Sequence, residues 1–180
     1  MSQVRILSGV PFSFVKQLSC LASKKLRFFI KPMQDIIYMG EALKQAKRAF
    51  DSNEVPVGCV IVYKDRIIAR AHNQVETLKD PTAHAEMIAI TQAASVMGSK
   101  WLQGVSVYVT IEPCQMCAGA LVLARIKRLI FGADDSKTGA FGSVCDILKS
   151  KNLNHSFEVT RGISYQESSF IISEFFRKKR

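Results

Sequence analysis

The sequence predicts an α/β fold, with a sheet of buried strands at its centre and helices packed on it. Segments whose apolar residues recur at helical spacing alternate along the chain with dense apolar runs of strand length, such as Val57 to Tyr63 and Leu129 to Phe131. That alternation is the pattern of helices folded onto a sheet. The chain is also long enough, since 180 residues at 48% hydrophobic composition suit one domain with its own core.

Residues 1 to 34 are expected to be an N-terminal extension and residues 35 to 180 the folded domain. Residues 1 to 32 carry five serines and no acid, a composition similar to that of an organellar transit peptide. Pro11 interrupts the apolar stretch near the start, which argues against a secretory signal. The simpler expectation is a start assigned too far upstream, with Met33 or Met39 as initiator and the preceding segment disordered or loosely helical.

Ile36 to Phe50 is the first predicted helix, with Ile36, Met39, Leu43, Ala46 and Phe50 inward and Lys44, Lys47 and Arg48 outward. Asp51-Ser52-Asn53 breaks it. Val57 to Tyr63, the turn Lys64-Asp65 and Arg66 to Ala69 form a hairpin. The second helix runs from Asp80 to Gly98, lined by Met87, Ile90, Ala94 and Met97 and ended by the glycine. Val105, Val107 and Val109 alternate with Ser106, Tyr108 and Thr110 in a third strand. It leads into a third helix, Cys114 to Ile126, whose apolar face is Met116, Ala120, Leu123 and Ala124. Leu129 to Phe131 and Phe157 to Thr160 supply the fourth and fifth strands. Ser164 and Glu167 form a capping box opening a last helix that carries Phe170, Ile171, Phe175 and Phe176.

The net charge of +10 is concentrated at the ends. Residues 1 to 34 hold six Lys and Arg with no acid, residues 177 to 180 are Arg-Lys-Lys-Arg, and the remainder carries fifteen of each sign. A basic end on a neutral body suits contact with phosphates. The longest run free of charge is thirteen residues, Met87 to Ser99, too short to cross a bilayer. Five cysteines without a framework pattern point to a reducing compartment, taken here as the cytoplasm.

The chemistry is concentrated in Asp80-Pro81-Thr82-Ala83-His84-Ala85-Glu86 and Glu112-Pro113-Cys114-Gln115-Met116-Cys117. A catalytic zinc takes three nitrogen and sulfur ligands and keeps its fourth corner open, a count that His84, Cys114 and Cys117 fit. With Pro113 as first helical residue, Cys114 and Cys117 lie three apart on one face. With Asp80 as N-cap and Pro81 as N1, His84 and Glu86 sit in a first turn, so two helix N-termini point at the metal and favour thiolates. Glu86 separates a reaction from a structural zinc site, because a carboxylate there can carry a proton. Cys59, within a strand, is expected to be a buried small hydrophobe, and His72 and His155 lack ligand partners at zinc spacing.

His-x-Glu followed by Pro-Cys-x-x-Cys resembles the signature of zinc nucleobase deaminases. From Met39 to Arg180 the chain closely resembles the bacterial tRNA-specific adenosine deaminases. The resemblance is carried by Glu54-Val55-Pro56-Val57-Gly58, Asn73, Pro81 to Glu86, Val109 to Cys114, Met116 to Ala120, Phe131-Gly132-Ala133, Lys137-Thr138-Gly139 and Phe175-Phe176-Arg177. It implies a three-layer α/β/α, cytidine deaminase-like sandwich around a mostly five-stranded mixed sheet, and a homodimer. It further implies one Zn2+ per subunit on His84, Cys114 and Cys117, with Glu86 catalytic. Asn73, Asp135, Lys137, Phe175, Phe176 and Arg177 are expected to bind substrate, although Asp134 stands where that family often has Arg. The implied reaction is deamination of adenosine to inosine at the wobble position of a tRNA anticodon stem-loop. The alternative is a deaminase of free guanine or cytosine, which shares the histidine, glutamate and paired cysteines but needs no basic end.

Overall fold

The structure, a computed structural model, describes residues 33–150 and 152–180. The expectations for residues 1 to 32 lie outside the described residues. Five strands form one sheet in the order β2-β1-β3-β4-β5, where β1 is Gly58–Tyr63, β2 Arg66–His72, β3 Ser106–Ile111, β4 Arg128–Ala133 and β5 Glu158–Arg161. β1 pairs antiparallel with both β2 and β3, whereas β3, β4 and β5 run parallel. The sheet is therefore mixed. Lys64 and Asp65, both at positive φ, close the β1–β2 hairpin in the conformation that matches strand twist.

Helix α1 (residues 33–51) and α5 (Tyr165–Lys178) cover one face; α3 (Ala85–Met97) and α4 (Gln115–Leu123) cover the other. Alternation along the central strands divides them. Cys59, Ile61, Val107, Val109, Leu129 and Phe131 point to the α3 and α4 side, and Val60, Val62, Tyr108 and Ile130 to the α1 side. A short helix α2 (Val75–Leu78) follows β2, where the sequence predicts none.

The predicted helix phases need correction. On α1 the buried seam is Asp35, Met39, Ala42, Ala46 and Ala49, while Ile36 is 56% exposed. Close approach explains it: a methyl group at Gly58 would fall 2.0 Å from the carbonyl oxygen of Ala42, so only small residues fit where α1 crosses β1. On α3 the buried residues are Ala85, Glu86, Ala89 and Ala93, while the predicted Met87, Ile90, Ala94 and Met97 are half-buried, with Ile90, Ala94 and Met97 packed against the core from its edge. On α4 they are Cys117, Ala118, Leu121 and Val122, and the predicted core residue Leu123 is 73% exposed. The capping box on α5 does not form either, because Ser164 is in the left-handed region and its side chain caps nothing.

One buried polar cluster ties the α1 layer to the sheet. Asp35 accepts two hydrogen bonds from Arg128, each 2.8 Å, and one from Tyr108 at 2.8 Å, while Arg128 also donates to Thr160. With every member partnered, its burial carries no orphan cost.

Candidate metal centre and active site

The carboxyl ends of β2, β3 and β4 and the start of β1 surround a cavity of about 510 Å³. Two helices open into it. His84 is the N-cap of α3 and Cys114 the N-cap of α4; both have extended backbones, and neither side chain caps its own helix. The predicted starts are thus corrected: Asp80 and Pro81 precede α3, and Pro113 precedes α4 instead of opening it. Asp80 instead accepts from Thr82 N (2.8 Å) and Thr82 Oγ1 (2.7 Å), a turn that sets His84 at the helix end. The shift leaves the expected juxtaposition intact.

His84 Nδ1 lies 3.6 Å from Cys114 Sγ and 3.5 Å from Cys117 Sγ, and the three ligand atoms all fall within 4.8 Å of one another. A tetrahedral zinc that holds nitrogen at about 2.05 Å and sulfur at about 2.3 Å sets each N···S edge at about 3.5 Å. The donor set fits that ion in type, number and spacing. Cys114 is held as the thiolate: the Cys117 thiol, donating to it, with His84 beside it, brings Cys114 down to about 4, and helix N-termini stabilise thiolate. The same Cys117 proton, held by Cys114, moves Cys117 upward, and Cys114 moves His84 upward.

Glu86 is buried in the first turn of α3 and lines the cavity. Desolvation raises its carboxyl above the ordinary range. Asn73, just past β2, is also buried and lines the same space; its Nδ2 donates to Glu54 Oε2 at 3.2 Å. Cys59 is fully buried, with its thiol raised by burial, and serves as core. His155 bonds the backbone of Ile126.

Two further carboxylates shape the walls, and sequence reasoning assigned neither a role. Glu54 accepts from Thr77 N (2.6 Å) and Glu76 N (3.1 Å), fastening α2. Glu112 accepts from Asp135 N (3.1 Å), Phe141 N (2.8 Å), Ser143 N (3.2 Å) and the Ser143 hydroxyl, fastening the loop after β4. Gly139 leaves room for this, since a methyl group there would lie 2.5 Å from Glu112 Oε2. A buried acid beside an apolar run was the available signal.

The other predicted substrate residues separate. Asp135 and Lys137 line the cavity with Asp134, and Phe176 lines it from α5 beside Ile172. Lys137 Nζ stands 5.6 Å from the Phe176 ring centre. Phe175 points away, 7% exposed and edge-on to Phe50 at 5.9 Å. Arg177 lies outside the cavity lining and is paired with Glu174 at 2.9 and 2.8 Å. Asp134 pairs with Arg161 at 3.2 Å.

A profile of MafB19-like deaminases matches residues 33–180. The chain is similar to a tRNA-specific adenosine deaminase of Bacillus subtilis, 46% identical over 82% of this chain and 91% of the relative. It is also similar to one of Aquifex aeolicus, 50% identical over 79% and 94%. Among solved structures it resembles one from studies of A-to-I editing by tRNA:A34 deaminases at the wobble position of transfer RNA. That likeness has a TM-score of 0.72 and 42% identity, covering 74% of this chain and 96% of the other.

Proposed function

The chain belongs to the tRNA-specific adenosine deaminases, and from that membership and the cavity's geometry we infer that it converts adenosine to inosine at the wobble position of a tRNA anticodon. The observation that supports this best is a buried, cavity-facing Glu86 beside three donors set at zinc spacing. His84, Cys114 and Cys117 would hold one zinc ion. When bound, zinc supplies a Lewis acid that lowers the pKa of a water at its open position.

The chain's own residues do the rest. Glu86 takes a proton from the attacking water and passes it to the ring nitrogen beside C6, and it then carries the second proton, from the hydroxyl added at C6, to the departing amine. A C6–O bond forms, the C6–N bond breaks, and ammonia leaves. Asn73 lines the same cavity and helps to orient the bound nucleoside through its side-chain amide. Lys137 and Phe176, stacked on the cavity rim, offer a cation and an aromatic face to neighbouring nucleotides. A single-stranded anticodon loop lowers the cost of moving the base into the cavity.

The finer parts of this reading are an anticodon stem-loop as the recognised unit, a homodimer and a cytoplasmic site of action. The homodimer is checked by sedimentation. No helix among the described residues is long and apolar enough to cross a membrane. The deciding assay incubates zinc-loaded protein with an anticodon stem-loop and, separately, with free guanine, cytosine and adenosine. Inosine in the stem-loop is the expected product. Ammonia from guanine or cytosine with an unmodified stem-loop would replace this reading with free-base chemistry.

A further inference from the structure

Resting on the adenosine reading of the cavity, we propose that Glu54 is a positioning residue: its carboxylate locks the Asn73 amide so that Oδ1 faces the substrate as an acceptor. Glu54 is 1% exposed and Asn73 is 5% exposed, so water does not mediate between them. Three N–H donors and the Thr77 hydroxyl converge on the two carboxylate oxygens. Thr77 N reaches Oε1, and Glu76 N and Asn73 Nδ2 reach Oε2.

An ionised carboxylate accepts and cannot donate. If the Asn73 amide were turned over, its Oδ1 would stand about 3 Å from another acceptor, two like partial charges out of water. Only the orientation with Nδ2 toward Glu54 is therefore stable. Among the described residues, Ser168 Oγ is the one fully buried side-chain polar atom without a partner. Asn73 Oδ1, which no group of the chain engages, is thus open to the cavity that Asn73 lines.

Burial alone would raise the Glu54 carboxyl, but the N–H donors of Thr77 and Glu76 hold it below its ordinary range, so it stays an acceptor at neutral pH. The device discriminates by sign. A substrate donor, on the adenosine reading a ribose hydroxyl because adenine's one donor is the reacting 6-amine, meets Oδ1, whereas a substrate acceptor placed there is left facing another acceptor, the kind of mismatch that polar sites reject most strongly. Glutamine cannot replace Glu54, because its one oxygen serves fewer donors and its amide nitrogen would oppose at least one N–H.

The test compares wild type, Glu54→Gln, Asn73→Asp and the double variant on an anticodon stem-loop, reading kcat and KM separately. Asn73→Asp sets two carboxylates against each other, and kcat/KM should fall by about a hundredfold or more. In the double variant the glutamine at 54 donates to the aspartate at 73, whose other oxygen restores the cavity acceptor. It should recover at least about tenfold over Asn73→Asp. Losses that simply add would overturn the proposal, since a carboxylate that merely anchors α2 gives no rescue. Amide-proton exchange at Asn73 Nδ2, followed by 15N NMR without substrate, provides a readout independent of turnover. Protection in wild type that disappears in Glu54→Gln supports the lock, and an unprotected wild-type amide overturns it. A wild type that leaves the stem-loop unmodified would instead defeat the adenosine reading, with the exchange result still judging the lock.

Discussion

The floor and the wall of the cavity use the same residue type to opposite ends. Glu86 and Glu54 are both buried glutamates lining one space, yet burial raises the carboxyl of Glu86 while the carboxyl of Glu54 lies below its ordinary range. The difference is the supply of donors. Glu54 receives the N–H groups of Glu76 and Thr77 and the amide of Asn73, enough to outweigh desolvation. The donors to Glu86 are its own backbone N–H and the Cys117 thiol, too few to outweigh desolvation, so it is left able to take and return a proton. A wall carboxylate is made inert by supplying it with many donors, and a floor carboxylate is kept reactive by giving it few.

The sharpest break of that comparison comes from the floor. Glu86→Gln keeps size and shape but removes the base, so single-turnover deamination should drop by a factor of about a hundred to ten thousand. Zinc content and stem-loop affinity should stay near those of wild type. Cys114→Ser should instead lose the metal, about one ion per chain in the intact protein, while Cys59→Ser keeps it. Normal zinc in the Cys114 variant, measured by metal analysis, would remove that thiol from the donor set.

A second experiment separates wall from core at two adjacent rings. Phe175 packs on Phe50 behind the rim, whereas Phe176 is 44% exposed and meets Lys137 at the cavity. Phe175→Ala should cost about 3–5 kcal/mol of stability as a buried aromatic truncation. Phe176→Ala should leave unfolding nearly unchanged and weaken stem-loop binding by about 1–3 kcal/mol, the usual size of one base–aromatic stack. If denaturant unfolding finds the two variants equally destabilised, Phe176 is core and contributes no stack.

Smaller still is the pH signature of Glu54. Its folded pKa is depressed, so its contribution to stability is fully present above the unfolded value of about 4.3 and is lost as pH falls through the folded one. The melting temperature of wild type should therefore exceed that of Glu54→Gln most clearly near neutrality, with the gap closing on acidification. A gap independent of pH between 7 and 3 would mean that the variant loses packing rather than charge.

The floor was legible in the sequence because its geometry is local. His84 and Glu86 belong to one helix start and Cys114 and Cys117 to another, so spacing alone brings the pairs together, and moving each helix boundary by a few residues changes little. The helix phases were legible only in part: Met39, Ala46 and Ala124 are buried as predicted, but the rest of each buried seam was missed. α3 and α4 bury Ala85, Ala89, Ala93 and Ala118 while also carrying larger apolar residues on half-covered sides, so apolar periodicity marks no single face. The closeness of α1 to Gly58 is likewise a property of the packed sheet. The roles of Glu54 and Glu112 depend on backbone N–H groups 22 to 31 residues away, which no motif spacing encodes. At the last helix, Phe175-Phe176-Arg177 reads as one substrate-binding unit, but a helical turn sends three consecutive side chains in different directions and only Phe176 reaches the cavity.

The basic end gives the smallest effect, and the structure reduces it further. Arg177 already holds Glu174, Lys178 lies 4.8 Å from the centre of the Phe50 ring, and Lys179 lies 5.4 Å from that of Phe175. Three of the four cations thus have partners within the chain before any phosphate arrives. Each must exchange a weak, solvent-screened contact for a phosphate, which offsets part of the gain. Removing Arg177 to Arg180 should lower stem-loop affinity and flatten log affinity against log salt by up to about 0.7 per lost single-strand contact. The total should fall short of four full contacts. Turnover at saturating stem-loop should change little, because none of the four lines the cavity. Binding titrations at several salt concentrations, on full-length and truncated protein, measure the slope directly. An unchanged slope would confine recognition to Lys137, Phe176 and the Asn73 wall, and the basic end would cease to be a reason for preferring RNA over a free base.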